Sequence, residues 1–247
     1  MKPDLARVPG YRRTTRVVPG NNAVAAMMED DMHCMAVVLR HDGRQVTAIE
    51  PNQARAPWTT CPGAEAELVS TFTGCPLGEV SVWRERLRNC THLHDLAVLA
   101  AAHMQSTAPV RYEMFVSDPD DGRRELEIRR DGVAVWQWSE QDGRFTAPAA
   151  IAGQTAFTLR DWIATLPPSE REAARLLQTA AVISHGRTMP LSEQSDATRM
   201  APSCHTFQPE QAAVAKRIRL PVDFSSGGRQ PLEGFAESVL ASLQAAD

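Results

Sequence analysis

Met32–Glu50, M-H-C-M-A-V-V-L-R-H-D-G-R-Q-V-T-A-I-E, is the stretch that decides the fold, because two extended runs flank Asp42-Gly43. Asp-Gly between alternating apolar runs is the strongest short-range hairpin signal. With Asp42-Gly43 as a two-residue loop, Leu39 faces Val46, Val37 faces Ala48 and Met35 faces Glu50, all on one side of the ribbon. His33 shares that side. The register makes His33 and Glu50 diagonal neighbours at the open end of the hairpin, roughly 7–8 Å apart at the backbone and within side-chain reach. A buried histidine–carboxylate pair is the expectation. It depends on the turn, since a three-residue bulge exchanges the two faces.

Upstream, residues 1–30 mix Arg12, Arg13 and Arg16 with Pro19, Gly20, Asn21 and Asn22 and show no sustained period, so an arm with at most one short strand is expected. Downstream, Pro51–Pro62 reads as a loop carrying Trp58 and Cys61, A-E-A-E-L-V-S-T-F (64–72) as a short helix, and Glu79–Arg88 as a second helix. Then comes N-C-T-H-L-H-D-L-A-V-L-A-A-A-H-M (89–104). Thr91 is placed to cap a helix beginning near His92, and Asp95 suits the positive end of the helix dipole. Leu93, Leu96, Ala97 and Ala100 recur at spacings of three and four and define a buried face, with His92, Leu99 and His103 on a neighbouring stripe. Hairpin, loop, helix, helix is an α+β unit with helices over one sheet face.

The pattern returns after Pro109. V-R-Y-E-M-F-V, the turn P-D-D-G (119–122), R-E-L-E-I-R-R, Asp131-Gly132 and V-A-V-W-Q-W predict further hairpin strands. Pairing about Asp131-Gly132 sets Ile128 with Val135 on one face, and Trp136 and Trp138 with Glu127 and Glu125 on the other, a charged face whose tryptophans need a cover. Thr158–Leu166 and Ser169–Arg187 read as helices, the second opened by a Ser169/Glu172 capping box and ended at Gly186. Residues 187–209 have no period, and Pro231–Ala246 is an amphipathic helix with Phe235, Val239, Leu240 and Leu243 inward. The expected whole is an α+β fold of antiparallel β-hairpins packed against helices, in two intimately associated halves, residues 1–108 and 109–247.

Apolar residues at 43% and charged residues at 23% fit a globular domain rather than a disordered or membrane chain. No run approaches the roughly 18 apolar residues of a membrane helix. M-K-P-D-L-A-R-V-P-G lacks the apolar core of a secretory signal, which makes the cytoplasm the default expectation. A net charge of −4 argues against a nucleic-acid partner, which needs a basic face. Five cysteines without tight pairing fit reduced thiols. G-x-S-x-G, P-loop and G-x-G-x-x-G patterns are absent, so triad hydrolases of that type, nucleotide hydrolysis and Rossmann cofactors lose support.

H-C-M (33–35), the strand ending in Glu50, T-T-C-P-G (59–63) and N-C-T-H-L (89–93) resemble, in order and spacing, the bacterial domain-of-unknown-function 2889 family over about residues 10–105. C-T-H-L is the most specific element. The family's usual W-x-x-x-G-x-L opening strand is replaced here by N-N-A-V-A-A-M-M-E (21–29), and residues 110–190, ending in I-S-H-G-R, look like the second half of longer members. The resemblance implies a small-molecule enzyme among catabolic enzymes for aromatic or polycyclic compounds, and it brings no established reaction.

His33 and His92 are the first candidates for chemistry, because imidazole gives and takes protons near neutral pH, and Glu50 is placed to fix a tautomer and raise basicity. The alternative is a pair of satisfied core histidines joining sheet to helix. Cys90 precedes a helix N-terminus, where the dipole lowers a thiol's pKa, although buried free cysteine is the commoner state. Cys61, Cys90, His92 and His94, with Cys34 and Cys75, raise the question of a metal. The tight C-x2-4-C or H-x3-5-H pairs of structural zinc are missing, so no metal, in particular no tightly bound zinc, and no cofactor is expected. Trp58, Cys61, Cys90, Thr91, His185 and Arg187 are the candidate substrate contacts, Trp58 as an apolar wall and Arg187 as an anion-binding rim group. The expected function is a cofactor-independent lyase, of elimination or retro-aldol type, or a hydrolase acting on an aromatic or polycyclic compound, with His33, Glu50 and His92 as acid–base groups. The partner is a small-molecule substrate, with no nucleic acid, no membrane and a homodimer as the oligomer to test. The alternative is a non-catalytic binding or assembly protein with structural histidines. Residues 92 and 94 lie some 200° apart on a helix, so His94 is expected to point away from a pocket that holds His92.

Overall fold

The computed structural model describes residues 8–80, 85–190 and 192–244, and among them eight strands and seven α-helices give an α+β fold. The residues fall into two compact units. One holds Thr15–Val110, Pro190–Pro221 and the chain from Leu232 onward, and the other holds the residues up to Thr14, Arg111–Met189 and Val222–Pro231. These are not the consecutive halves 1–108 and 109–247, because late segments return to the first hundred residues.

The expected N-terminal arm is instead two long strands, β1 (Gly10–Pro19) and β2 (Ala23–Asp30), with Asn22 between them at a φ of 52°. Every residue of β2 is buried. A strand covered on both faces has no reason to alternate, so A-V-A-A-M-M carries no period-two signal. One face of β2 meets the terminal helix α7 (Phe235–Gln244): Ala236, Val239 and Leu243, with Leu232 just before the helix, pack on Ala23, Ala25, Met27, Ala36 and Val38. Helix α2 (Thr91–Ala102) also packs on β2 and on β3 (Cys34–His41), and Cys90 Sγ lies 4.0 Å from Met35 Sδ. Met35 alternates with Ala36, so this contact is on the face of β3 that α7 does not cover.

Asp42-Gly43 does not make the expected two-residue turn between β3 and β4 (Val46–Arg55). Gly43 has a φ of 87°, but Asp42 stays out of the left-handed region and turns its carboxylate onto the amides of Arg44 and Gln45 at 2.8 and 2.9 Å. That side-chain turn widens the loop. A bulge follows, so Leu39 meets Ile49 instead of Val46, and Val38 meets Glu50. The shift is odd, and an odd shift exchanges the faces of a strand. Glu50 consequently shares a face with Val38 and Arg40, is exposed, and accepts from Arg40 Nε at 2.6 Å. The expected His33–Glu50 pair does not form.

Pro51 to Arg55 is strand rather than loop, followed by helix α1 (Ala64–Phe72), the stretch assigned from sequence. Of the helix expected over 79–88, Leu77–Glu79 is a single tight turn, residues 81–84 lie outside the described residues, and 85–88 are turn. Helix α2 begins one residue early, at Thr91, with Cys90 as its extended cap and no side-chain cap bond. Asp95 is held by Arg86, both guanidinium contacts being 3.3 Å.

In the other unit, β5 (Val110–Ser117), β6 (Arg123–Arg130), β7 (Val133–Gln141) and β8 (Arg144–Ala147) are neighbours in chain order. Here Asp131 and Gly132 do adopt left-handed φ values, 50° and 83°, and make the tight turn. A bulge beside it pairs Ile128 with Trp136 and Leu126 with Trp138, so the two tryptophans lie on the apolar face and not with the glutamates. Trp138 is 1% exposed and meets Phe145 and Trp162 edge-on at 5.2 and 5.9 Å. Trp136 meets Trp162 at 5.3 Å and donates Nε1–H to the Glu170 carbonyl at 3.0 Å. The cover that these rings need is α3 (Arg160–Thr165), which carries Trp162, and α4 (Pro168–Ile183). No capping box opens α4, since Glu172 accepts from Tyr112 OH at 2.5 Å. Gly186 does not end the helical run and lies inside the short α5 (His185–Thr188). Among the described residues no helix is long and apolar enough to cross a membrane.

Candidate functional site

Asp30 ends β2 and His33 precedes β3, so the two belong to one reverse turn. The Asp30 amide donates to the His33 carbonyl at 2.8 Å. Asp30 Oδ1 accepts from the amides of Met32 and His33 at 2.8 and 2.7 Å, and lies 3.1 Å from His33 Nδ1. An aspartate that folds onto the amides two and three residues ahead is the local device of such turns, and here it also orients an imidazole. With Nδ1–H donating to the carboxylate, Nε2 is left as the basic nitrogen.

Arg55, at the end of β4, holds this turn from the neighbouring strand. Its guanidinium donates to the carbonyls of Asp31 at 2.8 Å and Asp30 at 2.6 Å, and to Glu29 Oε1 at 3.0 Å. The other Glu29 oxygen accepts the Leu232 amide at 2.6 Å, tying in the segment that leads to α7. Glu29 and Arg55 side chains are 2% and 11% exposed, so this ion pair is shielded from water.

The second imidazole comes from α2. His92 is its second residue, half-buried, and its ring centroid lies 4.0 Å from that of His33 with a 30° tilt. Asp30, His33 and His92 each offer a ligand-capable atom, and these atoms lie within 4.8 Å of one another. Asp30 is fully buried and His33 is 8% exposed. The residues brought together are therefore His33 and His92, as expected, with Asp30 in the position intended for Glu50. Asp30 and Arg55 were missed. D-D-M-H (30–33) between two extended runs was the legible signal for the aspartate, whereas nothing in the spacing points to Arg55.

Of the other candidates, Cys90 and Thr91 adjoin His92 at the start of α2, and the rest belong to separate clusters. Trp58, 3% exposed, packs with Ala197 and with Ala212 of the short α6 (Pro209–Ala212), edge-on to Phe207 at 5.9 Å and beneath the Arg217 guanidinium at 5.8 Å. It is core under the 190–221 segment, which bonds back to it through Thr59 N–H to the Lys216 carbonyl at 3.0 Å. Cys61 adjoins that cluster and its Sγ accepts from Thr206 Oγ1 at 3.4 Å, with burial pushing the thiol pKa up. Thr91 is the half-buried first residue of α2. His185 bonds Arg124 at 3.1 Å, its pKa lowered first by burial and then by that guanidinium. Arg187 is occupied by Asp118 at 2.8 Å and Asp223 at 3.1 Å, so it is an ion-pair residue of its own unit and not an anion-binding rim. His94 does point away from His92, but into the interior: it is 1% exposed with its ring 5.1 Å from Phe72. A surface cleft of about 410 Å³, bounded by Glu67, Arg88, His205, Gln208 and Glu210, contains none of the candidate residues.

Cys90 shows which of two opposing effects wins. The amides of His92 and Leu93 at the start of α2 lower its pKa, but full burial outweighs them and pushes the thiol up to about 12. Thiolate is the reactive form, so a nucleophilic Cys90 is disfavoured. Iodoacetamide at about pH 8 is expected to modify Cys90 only after unfolding; peptide mass spectrometry finding it alkylated in the folded protein at a free-thiol rate contradicts this. A scan against protein-family models finds no match to this chain, and no curated protein matches it.

Proposed function

We propose that the chain is a small-molecule enzyme of the lyase or hydrolase type, with Asp30–His33 and His92 as its proton-transfer centre, and that it is a divergent relative of the domain-of-unknown-function 2889 family. One observation carries the reading: a carboxylate-oriented imidazole faces a second imidazole at 4.0 Å. Burying a polar group costs free energy that an apolar side chain of similar size does not incur. The turn accounts for the Asp30 carboxylate, but it gives no reason to set a second titratable ring against His33. Elimination and retro-aldol cleavage each need one base and one acid, which two imidazoles supply. The aromatic or polycyclic substrate class rests on the family resemblance.

The test is turnover on a panel of aromatic β-hydroxy carbonyl and ether compounds, with His33→Ala and Asp30→Asn beside the wild type. Losing a general acid or base lowers turnover by roughly 10²–10⁴-fold, and that is the expectation for His33→Ala. In Asp30→Asn the carboxamide oxygen can still accept the turn amides while the charge is lost, so a smaller loss of roughly 10–100-fold is expected, as for other groups that orient a functional histidine. Wild-type turnover in both folded variants removes the proposal.

The second reading, a binding or assembly protein, has its own support. Val214, Ile218 and Leu220 expose 64%, 55% and 68% of their surface along one short segment. A dimer that dissociates when these three become serine, in a chain inert toward the whole panel, favours that reading.

A further inference from the structure

We propose that Asp30, His33 and His92 bind one divalent transition-metal ion as three ligands, leaving its remaining positions open. The inference rests on the proposed function for the ion's role, though not for its binding: with their lone pairs on an ion, the two imidazoles would hold it, and ion-bound water would take over the proton exchange. Ligand atoms held by one ion at bond lengths of about 2.0–2.2 Å are at most about 4.4 Å apart. The three donors already lie within 4.8 Å of one another, so small side-chain rotations close the site.

The donor set selects the class of ion. Two imidazole nitrogens with one carboxylate suit zinc, iron(II), cobalt(II) or manganese(II), whereas calcium and magnesium prefer all-oxygen shells. Three protein ligands with open positions are the catalytic arrangement; four closed ligands are the structural one. Such an ion supplies Lewis acidity and a water that ionises near neutral pH.

The surroundings are those of a held ligand set. Asp30 Oδ1 is pinned by two backbone amides, and Arg55 fixes the carbonyls of Asp30 and Asp31 on the same turn. Supports of this kind orient ligands and set affinity. His92 is the least buried of the three. Linear spacing hides the set, because Asp30 and His33 share a β-turn while His92 arrives on a helix far along the chain.

The experiment is titration of the chelator-treated full chain with cobalt(II) and with zinc(II), followed by the cobalt ligand-field spectrum and by calorimetry. One ion per chain with a nitrogen–oxygen spectrum is expected. Affinity falls at least roughly 10–100-fold in His33→Ala, His92→Ala and Asp30→Asn, and stays at the wild-type level in His41→Ala, which controls for adventitious histidine binding. Asp30→Asn keeps the acceptor that the turn needs, so it reports on the ion even if a histidine variant misfolds. No saturable binding by the wild type, or binding unchanged in the folded Asp30→Asn and His92→Ala proteins, overturns the site. A wild type that binds no ion yet turns over in a His92-dependent way overturns the metal and leaves the proton-transfer reading standing. Stoichiometric ion with turnover indifferent to all three residues supports the metal and overturns that reading.

Discussion

His92→Ala is expected to lower turnover by roughly 10²–10⁴-fold, the range for loss of a general acid or base, while the melting temperature stays near that of the wild type. The separation follows from position. His92 is half-buried in the first turn of α2 and gives that helix no side-chain cap, so truncation removes a ring facing His33 and little of the core. His94→Ala is the informative contrast. It is 1% exposed against Phe72, and emptying that space costs ~2–4 kcal/mol on the scale of large-to-small core substitutions. Its turnover per folded molecule should be kept. Thermal melts and active-site-normalised rates for both variants decide the matter, and equal rates in the two folded proteins exclude His92 from the chemistry.

Arg55→Ala should cost ~3–5 kcal/mol of stability, the range for breaking one side of a buried ion pair, and should take activity down with the fold. Glu29, 2% exposed in its side chain, is left without the guanidinium, and the carbonyls of Asp30 and Asp31 lose its donors together. Lysine is a poor substitute, because one ammonium cannot reproduce a planar fork that reaches two carbonyls and a carboxylate. Adding Glu29→Gln to Arg55→Ala should recover part of the loss by removing the stranded charge. Urea denaturation of the single and double variants measures this, and a loss below about 1 kcal/mol, the scale of a surface pair, sinks the assignment of Arg55 as the clamp of the turn.

Residues whose neighbours are local were legible. Helix α1 has the bounds expected from its sequence, α2 buries Leu93, Leu96, Ala97 and Ala100, and α7 turns Val239 and Leu243 inward, since each stripe recurs with the period of its own backbone. Strand β2 was illegible for the same physical reason reversed: covered on both sides, it has no polar face to mark it.

Both hairpin registers were misread, and the cause lies in what an aspartate does at a turn. Asp131 takes a φ of 50° beside Gly132, while Asp42 keeps an ordinary backbone and bonds the amides ahead of it. The same dipeptide permits both outcomes, and beside each turn a bulge shifts one strand against the other. Facing side chains follow parity, so an odd shift in each hairpin moved Glu50 away from His33 and turned Trp136 and Trp138 onto the apolar face.

By itself, then, the sequence determined the α+β class, the stripes of α1, α2 and α7, the places of β3, β5, β6 and β7, and the two histidines worth testing, because periodicity and residue chemistry are local properties. Tertiary structure alone decided that Glu50 turns away from His33, that His92 meets it, that His94 is core, and that Arg55 clamps the turn. Those outcomes depend on bulges, on strand parity and on residues brought together from distant parts of the chain, where the energy of burying a charge, and not local propensity, selects the partner.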